Sequence, residues 1–141
     1  IEKGYLILED MKAEEMITVS CNMEARFVHA NPEVRADEGR VAIMRGPLVY
    51  CLEETDNGRN LSSLYIDTKA GLTEAYEDEL LGGVVTVSAK GKRISNTGWN
   101  EDELYKEQEI QLEDVTLKAV PYCNWGNRKT GEMAVWIKEL L

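Results

Sequence analysis

Apolar and polar positions along this chain recur mainly with a period of two, the repeat of a strand whose successive side chains point to opposite faces. Gly4-Tyr5-Leu6-Ile7-Leu8 and Met16-Ile17-Thr18-Val19-Ser20-Cys21 are short apolar runs with β-branched residues and predict two strands. Residues 25–30 predict a third, with Phe27 and His29 alternating against Val28, and turn chemistry follows in Asn31-Pro32 and Asp37-Glu38-Gly39. The most ordered pattern lies in residues 40–53: Val41-Ala42-Ile43-Met44, then Arg45-Gly46-Pro47, then Leu48-Val49-Tyr50-Cys51-Leu52. Proline lacks a backbone donor, so Pro47 marks the first position of a strand or a bulge. The segment reads either as two strands or as one long bent strand. Further along, Asp56-Asn57-Gly58 predicts a turn and Leu64-Tyr65-Ile66 a short strand. Residues 72–76 predict another strand, with a helical turn over Glu77-Asp78-Glu79-Leu80-Leu81 as the alternative beside it. Val84-Val85-Thr86-Val87-Ser88-Ala89 is the plainest strand. Residues 90–108 are polar and predict a functional or mobile loop, because structureless stretches of that length are uncommon inside compact domains. Strand patterns return at 110–112, 115–120 and 133–137, around an aromatic-rich loop at 121–130. About nine or ten short strands at this spacing predict an all-β fold, an antiparallel β-sandwich of jelly-roll type.

Composition narrows the picture. With 141 residues the chain has the length of one domain, enough to bury a core without staples. A hydrophobic fraction of 43% beside 30% charged residues is that of a globular rather than a disordered chain. Twenty-six acids against 16 bases leave a formal charge of −10, which repels phosphate backbones and anionic membrane surfaces, so neither nucleic acid nor a membrane is an expected partner. No apolar run approaches the ~20 residues that span a bilayer. The chain starts at Ile1 rather than Met, as expected of a segment of something longer.

Candidate chemistry is sparse. Cys21, Cys51 and Cys123 are an odd number at wide spacing, with no C-x-x-C pair, and read as small buried hydrophobes. The sole histidine, His29, has no evident partner for a triad. There is no phosphate-binding glycine loop, no G-x-S-x-G elbow and no H-E-x-x-H. No catalytic residue, metal ligand or cofactor is therefore expected in this chain. The acidic runs Glu53-Glu54, Glu77-Asp78-Glu79 and Glu101-Asp102-Glu103 read as solvated loop charges, with oxygen ligands for calcium as the weaker alternative. Flat aromatic faces are where sugar rings stack, and Trp99, Tyr105, Tyr122 and Trp125 fall in or beside predicted loops, whereas Trp136 reads as core. Tyr122, Trp125, Asn127 and Arg128 form the best candidate contact surface: aromatic faces, an amide for hydroxyls and a guanidinium.

Several blocks resemble one known family. Gly39-Arg40-Val41-Ala42-Ile43-Met44-Arg45-Gly46-Pro47-Leu48-Val49-Tyr50-Cys51-Leu52-Glu53 is similar to a signature of the glycoside hydrolase 127 (β-L-arabinofuranosidase) proteins. Leu80-Leu81-Gly82-Gly83-Val84-Val85 and the closing stretch from Ala119-Val120-Pro121-Tyr122-Cys123-Asn124-Trp125-Gly126-Asn127-Arg128 to Val135-Trp136-Ile137 resemble further blocks, in collinear order. The resemblance implies a division of labour. In that family a helical barrel carries the catalytic cysteine, a glutamate acid/base and a zinc held by cysteines and a glutamate, and β-sandwich domains that follow it help in packing and dimer formation. This chain resembles the trailing sandwich part, so the implied partners are the catalytic barrel of the same bacterial polypeptide and a second copy in a homodimer. The alternative, which rests on the loop aromatics themselves, is a carbohydrate-binding module that takes a plant-type glycan through the residues around Trp125. Residues 1–141 are expected to form one accessory domain, of which residues 1–53 could instead complete a neighbouring sandwich. Met11, Asn22 and Cys123 depart from the family pattern, which tends to tryptophan, proline and tyrosine there.

Overall fold

The computed structural model describes residues 1–10 and 12–140, so the departure at Met11 lies outside the described residues. Among the described residues the chain forms nine strands: β1 (Ala25–His29), β2 (Arg40–Arg45), β3 (Leu48–Glu53), β4 (Leu64–Ile66), β5 (Leu72–Glu77), β6 (Val84–Ile94), β7 (Leu112–Pro121), β8 (Met133–Ala134) and β9 (Ile137–Glu139). One helical turn, α1 (Glu54–Asn57), and four single turns of 3-10 helix complete the regular structure. The fold is all-β, as the period of two predicts.

Residues 40–53 are two strands in a tight hairpin. Arg45 pairs with Leu48, leaving Gly46-Pro47 as the two-residue turn. Gly46 has φ +54°, so glycine is favoured by conformation; a Cβ there would also displace the flexible Met23 thioether, 2.3 Å away. Pro47 stands in the turn immediately before β3, where its missing donor disturbs no ladder.

The strand pairings close on themselves. β2 pairs with β3, β3 with β7, β7 with β6, β6 with β4, β4 with β9, and β9 with β2 again. β1 lies along β2, β5 along the first half of β6, and β8 along the end of β3. All of these pairings are antiparallel except β4–β9, which is parallel, so the sheet is mixed rather than wholly antiparallel. The core fills the ring: Val41 and Ile43 from β2, Tyr50 and Leu52 from β3, Leu64 and Ile66 from β4, Val87 and Ala89 from β6, Leu117 and Ala119 from β7, and Ile137 from β9. The alternate positions of these strands face outward or lie under loops, which is why a repeat of two was visible in the sequence. Tyr50, fully buried, donates its hydroxyl proton to the Val85 carbonyl at 2.8 Å, so the polar tip of this core residue is satisfied.

Four expectations are corrected by the structure. Residues 4–8 and 16–21 form no strand; they run exposed, with only a Glu2–Tyr5 bridge between them and regular structure. Strand-forming composition reflects packing on a neighbour, and beyond that bridge no described strand of this chain pairs with them. The alternative helical turn at 77–81 is absent, because Glu77 ends β5 and Val84 starts β6 in an antiparallel hairpin. The polar stretch 90–108 is not all loop: β6 continues to Ile94, and its last residues pair on both edges, with β4 and β7. The last run is broken into β8 and β9, which lie on different neighbours, β3 and β2.

Gly91 lies where β6 passes closest to β4. A Cβ there would stand 2.2 Å from the Tyr65 carbonyl oxygen and 3.1 Å from Leu117. Gly91→Ala should therefore push β6 off β4 and lower stability by about 1–3 kcal/mol, the usual cost of overpacking. Urea denaturation of the two proteins measures it, and an unchanged midpoint would mean that the strands separate at no cost.

Candidate functional site

The loop that leaves β7 is held from beneath by charge. Glu53 ends β3 and is 3% exposed. It stands two residues beyond Cys51, on the face of β3 opposite Tyr50 and Leu52, where the loop covers it. One carboxylate oxygen of Glu53 accepts the Gly126 N–H at 3.0 Å, and the other pairs with Arg128. Arg128 also grips Asp56 of α1, whose Oδ1 lies 2.8 Å from Nη1 and whose Oδ2 accepts from Nη2. With two carboxylates around it, Arg128 is held even more firmly protonated than an ordinary guanidinium. Next to this pair, Glu54 and Glu132 exchange backbone contacts: the Glu54 N–H donates to the Glu132 carbonyl at 3.0 Å, and the Glu132 N–H donates to the Glu54 carboxylate at 3.0 Å. The Glu132 carboxylate then accepts the N–H groups of Asn60 and Leu61 at 3.0 and 2.7 Å. Asn57 completes the clamp by pairing with β7 through both its amide atoms, donating to the Lys118 carbonyl and accepting the Lys118 N–H, each at 2.9 Å.

Above this clamp the loop presents two aromatic rings. Tyr122 and Trp125 are stacked, with centroids 6.1 Å apart and planes 18° from parallel, and each is 45% exposed. Among the four candidate contact residues, these two keep an open face. Asn127 donates to the Asn124 carbonyl at 3.2 Å, and Arg128 points inward to Glu53 and Asp56. The structure thus turns Arg128 inward, beneath the loop that the sequence singles out. From the sequence Glu53 reads as a solvated charge, whereas Glu53 is buried. The signal that could have found it is parity: Glu53 continues the alternate positions of a strand that is apolar on both faces.

The other candidates lie elsewhere. Trp99 is 38% exposed beneath the Lys106 ammonium, 5.2 Å from its ring, and Tyr105 projects almost freely. Trp136 is half-buried between β8 and β9 and borders a cleft of about 340 Å³ with Arg40, Ser62, Glu132 and Lys138. His29 is exposed and meets Glu139 at 3.2 Å. Cys51 is buried, and burial followed by the nearby Glu53 charge pushes its thiol up to about 12, so it stays protonated and inert. Cys21 and Cys123 are exposed, against the expectation that all three cysteines are buried; neither run carrying them is covered by a described strand. Among the described residues no three His, Cys, Asp or Glu side chains gather as a metal set, so these residues do not fit the zinc of the family resemblance.

The fold and the loop define a closed all-β domain with an aromatic surface anchored by buried charge. Residues 25–138 match the family described as the glycoside hydrolase family 127 C-terminal domain. The chain is 37% identical over 142 residues to the non-reducing end β-L-arabinofuranosidase of Bifidobacterium longum subsp. longum, covering 96% of this chain and 21% of that protein. Its fold superposes on a GH127 β-L-arabinofuranosidase from Geobacillus stearothermophilus T6 with a TM-score of 0.79 at 45% identity, over 84% of this chain and 18% of the other. A further GH127 β-arabinofuranosidase gives a TM-score of 0.72 at 34% identity, over 84% and 17%. The chain belongs to glycoside hydrolase family 127 and corresponds to its C-terminal domain. It spans about a fifth of the length of the relatives it matches.

Two measurements check the clamp. Arg128→Leu leaves Glu53 buried without a countercharge, and should destabilise by about 3–5 kcal/mol. Adding Glu53→Gln to that variant should recover part of the loss in a denaturant titration, which a simple packing defect would not allow. The second concerns pH. Hydrogen bonding to Lys118 and then Thr86 holds Glu77 below its ordinary range, and the Leu61 and Asn60 amides do the same for Glu132. A depressed folded-state value means stability present above the unfolded value of about 4.3 and lost as pH falls through the folded ones. The thermal midpoint should be flat above pH ~5.5 and fall on acidification below ~4.3, less steeply in Glu77→Gln.

Proposed function

We propose that this domain is a non-catalytic accessory unit of a longer family 127 enzyme that releases β-L-arabinofuranosyl groups, where it supports the catalytic barrel and assists subunit association. The observation that carries the reading is the state of the half-buried acids. Glycoside hydrolysis needs two carboxyl groups flanking a sugar at about 5–9.5 Å, one to protonate and one to attack or activate water. Here Glu53 and Asp56 are tied to Arg128, Glu77 to Lys118 and Thr86, Glu132 to two backbone amides, and Glu139 to Thr68 and His29. Each accepts from a fixed donor, a state suited to holding a fold and unsuited to proton transfer. The zinc and the catalytic cysteine of such an enzyme belong, in this reading, to its barrel.

The stacked, half-exposed Tyr122 and Trp125 favour a second role, in which the domain also touches glycan. The two roles separate in one set of measurements on the 141-residue protein. It should hydrolyse a chromogenic β-L-arabinofuranoside no faster than buffer, and turnover abolished by an acid-to-amide substitution would overturn the accessory reading. Light scattering over a concentration series should show self-association; a strict monomer at high concentration would remove subunit assembly from the role. Titration of arabinose-containing oligosaccharides against tryptophan fluorescence tests the glycan role, which requires a response that Trp125→Ala abolishes while the domain stays folded.

A further inference from the structure

The first 22 residues have the composition of strands and the surroundings of none. Every described residue from Ile1 to Asn22 is exposed, including Tyr5 at 74%, Met16 at 90% and Val19 at 68%. Among the described residues, the backbone–backbone bonds of this stretch are the Glu2–Tyr5 pair and one from the Glu15 N–H to the Lys12 carbonyl. Two runs therefore carry apolar side chains and open rows of N–H and C=O groups at once, a combination that templates pairing with another sheet. Their patterns differ. Tyr5-Leu6-Ile7-Leu8 is apolar on both faces, the pattern of an interior strand, while Ile17, Val19 and Cys21 alternate with Met16, Thr18 and Ser20, the pattern of a strand with one face covered. Between them lie Glu9, Asp10, Glu14 and Glu15, with Asp10 and Glu14 at positive φ, which is turn chemistry for a hairpin.

The position of this segment along the family's polypeptide points to what covers it. The match to the C-terminal domain begins at residue 25, where β1 joins the ring, yet the similarity to the Bifidobacterium enzyme extends over 96% of this chain and 21% of that one. Most of residues 1–24 are thus part of the shared sequence and, the matched family being a C-terminal domain, lie on the side of the remaining four-fifths of such a protein.

Resting on the accessory reading above, we propose that residues 4–8 and 16–21 add as two strands to the sheet edge of the domain immediately preceding this one in the longer polypeptide, with Ile17, Val19 and Cys21 facing its core. The junction is then a shared hydrogen-bonded sheet rather than a linker, and it fixes the accessory domain rigidly against its neighbour.

Alkylation of Cys21, followed by peptide mass mapping, tests this in the 141-residue protein and in the full-length enzyme. Cys21 should label at least about tenfold more slowly in the full-length enzyme, with buried Cys51 silent in both until denaturant is added. Ile17→Asp combined with Val19→Asp should leave the melting of the 141-residue protein unchanged and lower that of the full-length enzyme. Equal labelling rates in the two proteins overturn the proposal, as does a double variant that melts normally in both. Slow labelling in the 141-residue protein that speeds up on dilution would assign the hairpin to a second copy of this chain, and would also overturn it. None of these outcomes depends on hydrolysis or light scattering, so the accessory role stands or falls separately.

Discussion

A strand of three residues holds this domain closed. Ile137–Glu139 pairs with β2 on one side and with β4 on the other, joining Arg40 and Val41 to Tyr65 and Ile66 through a single short segment. Without it β2 and β4 would be open edges and the ring would unroll into a curved sheet with its core in water. The closing contacts are also among the most distant in sequence, Arg40 with Lys138, so forming them before the rest of the sheet carries the largest loop-closure cost. The hairpins β2–β3, β5–β6 and β6–β7 supply that scaffold from more local pairings.

So short a strand needs the chain delivered to it in register, and the charge clamp performs the delivery. Arg128 fixes the loop after β7 to Glu53 and Asp56, and Met133 then falls opposite Glu53 on β3. A buried ion pair adds little net stability over apolar residues of the same volume, because desolvation offsets the attraction. Its consequence is geometric: a guanidinium held by two carboxylates allows one loop position, where an apolar patch would tolerate several. Glu54 and Glu132 repeat the device one layer outward with backbone partners, so three acids at the end of β3 orient the whole closing segment.

This division explains what could be read before the structure was known. Strand content was legible because Val41–Ile43, Tyr50–Leu52 and Val87–Ala89 lie in short apolar runs rich in β-branched residues, a local property, even though Ala42 and Cys51 are buried on the second face of their strands. The break at Gly46-Pro47 was legible from its local chemistry, but whether it made a hairpin or a bend was not, since that depends on Arg45 meeting Leu48. Closure was not, since the pairing of Ile137 with Val41 and the parallel match of β4 with β9 depend on partners about 75 to 100 residues away. The clamp was hidden for the same reason. Glu53 and Arg128 are 75 positions apart, and a run of acids looks solvated until its counterion is placed. The N-terminal runs failed in the opposite direction: their local signal is that of strands, and the described chain offers them no partner.

The same placement bears on how Tyr122 and Trp125 can act. A sugar-binding surface combines an aromatic face with polar groups that fix the hydroxyls, and it is the latter that discriminate among sugars. At this loop the guanidinium faces inward, and exposed Asn127 commits one of its two amide protons to the Asn124 carbonyl, so its remaining amide groups and the polar atoms of the two rings are what is left to meet a hydroxyl. Turning Arg128 outward to meet a hydroxyl would strand Glu53 in the interior, a cost larger than one hydrogen bond to a neutral ligand returns. Any glycan contact in this arrangement would thus rely on Tyr122, Trp125 and Asn127 rather than on Arg128.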